Sequence, residues 1–161
     1  MEIVDACRVM EAEFATIGLR VDHKSVGTHI HLGWSKDFEA LKQLMILGAY
    51  FEPALFSLVA PSRVRNSYVY SVRNRAKKLM SLRTMAAWEE HFASHRRKYL
   101  GINPSHLFEG YGSVEIRHPS GTIEPGKILA WVSLWMRILA TARVENALPG
   151  SPYARPRTLP L

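Results

Sequence analysis

The sequence predicts an α+β domain whose strands are antiparallel. Segments with apolar residues at three- and four-residue spacing alternate with two short runs in which polar and apolar residues alternate, THIHLG (28–33) and SVEIRHP (113–119). A further strand-like stretch precedes the second run across a glycine-containing loop. That is the pattern of a hairpin, and a hairpin pairs its strands antiparallel.

Residues 2–17 place Ile3, Ala6, Cys7, Met10, Phe14 and Ile17 on one stripe, the period of an amphipathic helix, and Gly18 is positioned to end it. The run from Val26 to Leu32 is bounded by glycines and alternates from Thr28 onward, which reads as a strand. Residues 37–60 are helical by period. Pro53 is expected to kink that helix or start a second one, because proline lacks the backbone donor and clashes with the preceding turn. The segment 61–80 opens as a loop and turns strongly basic. Residues 84–98 read as a helix with a polar face, whose HRRK end suits the negative pole of the helix dipole. A strand near 98–103 and the strand 113–119 complete the hairpin. The last helix starts between Thr122 and Pro125, where proline is tolerated, and runs to about Glu145. Residues 148–161 hold four prolines in fourteen residues, so an extended, flexible end is expected.

At 161 residues the chain is most simply one domain, residues 1–148, followed by a Pro-rich flexible tail, 149–161. Lys and Arg outnumber Asp and Glu by 21 to 14, so an anionic partner is expected: nucleotide phosphate, acidic substrate or nucleic acid. Cys7 is the only cysteine, which excludes an internal disulfide and a cysteine-based zinc knuckle and suits a reducing cytoplasm. MEIVDACRVM lacks the basic-then-apolar order of a signal peptide. The longest apolar stretch, 128–142, carries Arg137 and is too short for a membrane span. It reads as a buried helix, with Trp131 and Trp135 in the core.

If 28–33 is a strand, His29 and His31 project from one face while Ile30 and Leu32 fill the other. In VEIR the same split puts Glu115 and Arg117 on one face and Val114 and Ile116 on the opposite one. Imidazole and carboxylate can ligate a divalent ion, and a guanidinium forks onto phosphate or carboxylate oxygens. Spacing alone leaves two readings open, a metal and phosphate site or the solvated face of a half-exposed sheet.

GTHIHLG, then FEPALFSLVAPSRVRNSY, then VEIRHPSGTIEP followed by a tryptophan-rich helix, resembles the amidoligase family, which is similar in fold to glutamine synthetase and glutamate-cysteine ligase. The resemblance runs from about Glu2 to Val144. It implies a curved antiparallel sheet packed with helices, the glutamine synthetase-like catalytic fold, and an ATP-dependent ligase joining a carboxylate to an amine through an acyl phosphate. It implies His29 and Glu115 as ligands of Mg²⁺ or Mn²⁺, His31 lining the acyl-phosphate and substrate site, and Arg117 contacting phosphate or substrate carboxylate. Arg63, with Arg65 and Asn66, stands where the family binds ATP phosphates. Members of the family begin with a strand carrying paired glutamates, for which this sequence has no counterpart ahead of GTHIHLG. The expectation is therefore a truncated or split ligase, one that forms a homo-oligomer or works with a separate N-terminal chain, on a peptide or amino-acid substrate in the cytoplasm. The contrasting expectation is an inactive fragment that binds protein or nucleic acid.

Other candidates carry less. His91 and His95 are four apart on a helix without the H-E-x-x-H order, and read as a solvated face. The basic cluster Arg63, Arg65, Arg73, Arg75, Lys77 and Lys78, with Tyr68 and Tyr70 interleaved, suits a solvated or ATP-facing loop, since no standard nucleic-acid motif accompanies it. His23, His106 and His118 fall in loops or at a strand end without an assigned role. Glu52 and Asn103 match family positions but are equally explained as helix and strand punctuation.

Overall fold

The computed structural model describes residues 27–93 and 99–143, together with Asp5, Val9, Ala12, Glu13 and Thr16, which are helical. The rest of the 2–17 helix, the 94–98 end of the next expected helix, His23, His95 and the tail lie outside the described residues.

The chain is α+β, with a small antiparallel sheet. β1 (Ile30–Gly33) leads into the long helix α1 (Phe38–Ser57), whose first turn is capped by Asp37 accepting from the Ala40 N–H at 2.9 Å. Pro53 neither ends α1 nor starts another helix. The segment expected to open as a loop begins with a helical turn instead and holds three short helical pieces: α2 (Pro61–Val64), a 3₁₀ turn (Arg73–Arg75) and α3 (Ala76–Ser81). Pro61 at the first position of α2 is favourable because its missing N–H needs no partner there. α4 (Met85–Phe92) is capped by Thr84, and then come β2 (Ile102–Asn103), α5 (Ser105–Phe108), β3 (Ser113–Ile116) and α6 (Pro125–Ala142). No helix among the described residues is long and apolar enough to cross a membrane.

The sheet order is β1-β3-β2. β3 pairs antiparallel with both neighbours, so the expected hairpin between β2 and β3 is present, with the helical turn α5 in its connection. That connection turns back through Gly110 at φ +94° and Gly112 at φ +65°, left-handed backbone that side chains disfavour. Gly112 then accepts the Trp34 N–H at 3.0 Å and extends the β1 ladder.

Alternation decides which face is buried. Ile30, Leu32, Ile102, Val114 and Ile116 turn toward α1, where Leu41, Leu44, Met45, Leu47 and Leu55 meet them. Each such side chain, fully buried, contributes about 1.5–3 kcal/mol. Gly48 lets α1 approach β2 closely, since a Cβ there would collide with the end of Ile102. α6 buries Trp135, Ile138, Leu139 and Ala142, but Trp131, Val132 and Leu134 are half-buried and Met136 is exposed. The expected buried helix is therefore amphipathic, with one side on the core.

Candidate active site

The opposite face of the sheet is polar. Register sets His31 opposite Glu115, and Asn103 opposite Glu115 from the other side, so one row across the three strands reads His31, Glu115, Asn103. Continuing the same register places His29 beside Arg117 in the next row. The histidines and the acid–guanidinium pair thus share one face, as the alternation predicted.

Glu115 is the centre. Its side chain is buried, His29 Nδ1 stands 2.9 Å from Oε1, and Arg117 Nη1 donates to the same oxygen at 2.6 Å. Asn103 Nδ2 donates to Oε2 at 2.9 Å. Burial raises the carboxyl pKa, but the hydrogen bonds from His29 and Asn103 and the Arg117 charge outweigh it and hold the group at about 2. Glu115 is therefore ionised at neutral pH. Burial is also the largest influence on His31, and with the charges of His106, His29 and Arg117 it outweighs Glu115 and lowers that imidazole's pKa, favouring the neutral ring.

Arg117 is pinned from behind. Its Nε donates to the Tyr68 carbonyl at 3.1 Å, and its guanidinium lies over the Tyr99 ring at 5.5 Å. Asn66 sets up the first contact: its Oδ1 accepts the Tyr68 N–H at 2.8 Å in a tight local turn. Arg63 is buried and donates from Nη2 to the Arg117 carbonyl at 2.6 Å, while its Nε and Nη1 have no hydrogen-bond partner. Desolvation and the Arg117 charge both push its pKa down, although a guanidinium stays protonated. Gly27 admits that guanidinium, because a Cβ there would overlap it. Arg65, by contrast, is exposed and lines a surface hollow of about 800 Å³ with Phe56, Ser57, Val59, Pro61, Ser62 and Val64.

A divalent ion suits the donor set, since carboxylate oxygens and imidazole nitrogens both ligate such ions. Glu115 is the single carboxylate in the trio His31, His106 and Glu115, whose donor atoms lie within 4.8 Å of one another. With one carboxylate in reach, magnesium would need substrate phosphate oxygens to complete its shell.

Residues 4–139 match the family model described as "putative amidoligase enzyme". The chain belongs to the amidoligase family. No curated protein and no solved structure matches it.

Two residues of this polar face, His106 and Asn103, had been given no functional role from the sequence. His106, on α5, folds over the polar face until its ring centroid is 4.8 Å from that of His31. Asn103 accepts the Ser105 N–H at 3.1 Å and so ties the start of α5 to Glu115. The sequence signal was present for Asn103, at a strand position facing Glu115, and absent for His106, whose approach depends on the turn after β2. The expectation for His91 is corrected: it is buried, with its ring 5.3 Å from Phe92, because α4 turns that side toward α5 and the Phe92–Phe108 stack.

Proposed function

We propose that this amidoligase joins a carboxylate to an amine at the expense of ATP. A substrate carboxylate oxygen attacks the γ-phosphorus, the bond from that phosphorus to the bridging oxygen breaks, and ADP leaves. The amine nitrogen then attacks the acyl carbon of the acyl phosphate, expels inorganic phosphate and gives up a proton. The observation that supports this reading is the ionised, buried Glu115 with His29, His31 and Arg117 on one face and the buried Arg63 guanidinium directly behind Arg117.

In this reading Arg117 orients phosphate or substrate carboxylate, and Arg63 offers two buried N–H groups to an anionic oxygen. Arg65 and Asn66 complete the ATP-binding segment, Asn66 by shaping the turn that holds Arg117. Glu115 with His29 would hold Mg²⁺ or Mn²⁺, and His31 would line the place where the amine arrives. The bound ion supplies charge neutralisation for the transferring phosphoryl group. The three strands would be part of the curved sheet of a glutamine synthetase-like fold. β1 has a single neighbour among the described residues, an edge on which a second copy or a separate N-terminal chain would pair.

The test is thermal. Millimolar ATP with Mg²⁺ should raise the melting temperature, and His29→Ala or Glu115→Ala should remove the rise. No shift in the folded wild-type chain, together with nucleic-acid affinity that falls steeply with salt, would replace the ligase with a binding module.

A further inference from the structure

We propose that His31, His106 and Glu115 form a binding site for a divalent transition-metal ion of the Mn²⁺, Co²⁺ or Zn²⁺ class, and that magnesium is disfavoured there. One donor atom from each residue lies within 4.8 Å of the others. Bonds of about 2.0–2.2 Å bring neighbouring donors to about 3 Å, so small ring rotations close the site. His31 is exposed and His106 half-exposed, so an ion can enter from solvent.

The surroundings of the rings point to a ligand independently of their proximity. His106 Nδ1 lies 3.2 Å from Glu109 Oε2, while its Nε2 faces Glu115 Oε2 at 3.8 Å. The first distance is a hydrogen bond and the second is too long for one. A carboxylate on one ring nitrogen fixes the tautomer and leaves a lone pair on the other, which is how metal-bound histidines are held. His31 has a hydroxyl as its outer partner, with Nδ1 3.2 Å from Ser113 Oγ. On Glu115, Oε1 is engaged by His29 and Arg117, whereas Asn103 orients Oε2 toward His106. Both histidines thus have an outer partner, and one donor atom of each lies within 4.8 Å of a Glu115 carboxylate oxygen.

The donors select the class of ion. Two imidazole nitrogens and one carboxylate oxygen suit Zn²⁺, Co²⁺ and Mn²⁺, whereas Mg²⁺ takes oxygen ligands and dehydrates reluctantly. Coordination positions beyond these three would remain for water or substrate. The site shares Glu115 with the proposed ligase centre, but the inference concerns metal binding without nucleotide and stands apart from the reaction.

The experiment uses the full chain, stripped with a chelator and titrated with Co²⁺ near neutral pH without nucleotide, followed by visible absorption and calorimetry. One equivalent should bind with ligand-field bands, and a hundredfold excess of Mg²⁺ should not displace it. Glu109→Gln should weaken Co²⁺ about tenfold, and His31→Gln and His106→Gln by more, with far-ultraviolet circular dichroism unchanged. Absence of binding, displacement by equimolar Mg²⁺, or an affinity unchanged in folded His106→Gln overturns the proposal. Co²⁺ binding without any ATP-dependent thermal shift would defeat the ligase reading alone; a shift without Co²⁺ binding would defeat this one alone.

Discussion

Two pairs of glutamate and histidine, one on Glu115 of β3 and one on His118 just beyond its end, turn to opposite faces. Glu115 meets His29 at 2.9 Å on the polar face, where the histidine side chain is 32% exposed. Glu52 meets His118 at 3.2 Å in the core, where the side chains are 2% and 0% exposed. His118 is sealed between Phe56 of α1 and Trp135 of α6, at ring distances of 5.2 and 5.8 Å. The chemistry is the same and the surroundings differ. Glu115 is held by side chains, each able to exchange one partner for a ligand. Glu52 is held largely by backbone, the Val72 N–H at 2.8 Å and the Arg73 N–H at 2.9 Å, with the Ser71 hydroxyl beside them. A carboxylate tied to side chains at an opening can work on a substrate, whereas one tied to backbone inside the core fixes a loop.

The loop that Glu52 fixes matters to the site. Residues 71–73 follow directly from Tyr68, whose carbonyl holds Arg117, and Tyr70 bridges to Leu100 beside β2. Glu52→Ala would leave the Val72 and Arg73 N–H groups, the Ser71 hydroxyl and the His118 ring without their acceptor, with Val72 and His118 fully buried. We expect a loss of about 3–5 kcal/mol, the largest effect predicted for the fold, measurable by urea unfolding. A loss under about 1 kcal/mol would show that the pair is not a latch and would erase the contrast with Glu115.

A methyl group added at Gly101 sharpens the comparison. Its Cβ would overlap the His118 ring, which has no room to retreat. Gly101→Ala should therefore cost about 1–3 kcal/mol by overpacking. Unchanged stability would mean that His118 can shift and that the core pair is less sealed than its burial indicates.

What the sequence disclosed follows from the range of the forces involved. The two faces of β1 and β3 were legible because strand alternation is local, with period two, and register then aligns any two alternating strands. The antiparallel pairing and the helix through 38–57 were legible for the same reason. Arg63 was legible as a motif, but its burial was not, since it depends on the absence of a side chain at Gly27, 36 positions earlier. Glu52 and His118 are 66 residues apart and meet only once α1 has packed on the sheet. His106 and His91 were misplaced because a short turn and a helix face were read without the neighbours that cover them. The helical pieces of 61–80, a segment read as opening in a loop, went unseen because at four and six residues they carry too few turns to show a period.

The smallest expected effect concerns acid, and it separates the two carboxylates. Burial raises the Glu52 pKa, but hydrogen bonds from His118, Ser71 and the backbone of residues 72 and 73 bring it below the ordinary glutamate value of 4.5. Glu115 is lowered to about 2. A carboxylate whose folded pKa lies below its unfolded one contributes stability above the unfolded value and loses it as pH falls toward the folded one. The wild-type chain should thus weaken progressively from about pH 4.5 downward. Glu115→Gln removes one titrating group and keeps its shape, so it should be less stable than wild type at pH 6, and the gap should narrow between pH 4.5 and about 2 as the wild-type carboxylate is protonated. The loss at pH 6 should stay near 1–2 kcal/mol, because His29 is partly open to water and Arg117 keeps the Tyr68 carbonyl. Urea unfolding at pH 6 and pH 3, in chelator, decides it: a gap that does not change with pH would mean that Glu115 draws nothing from its charge, and the polar face would be no more than hydrogen-bonded packing.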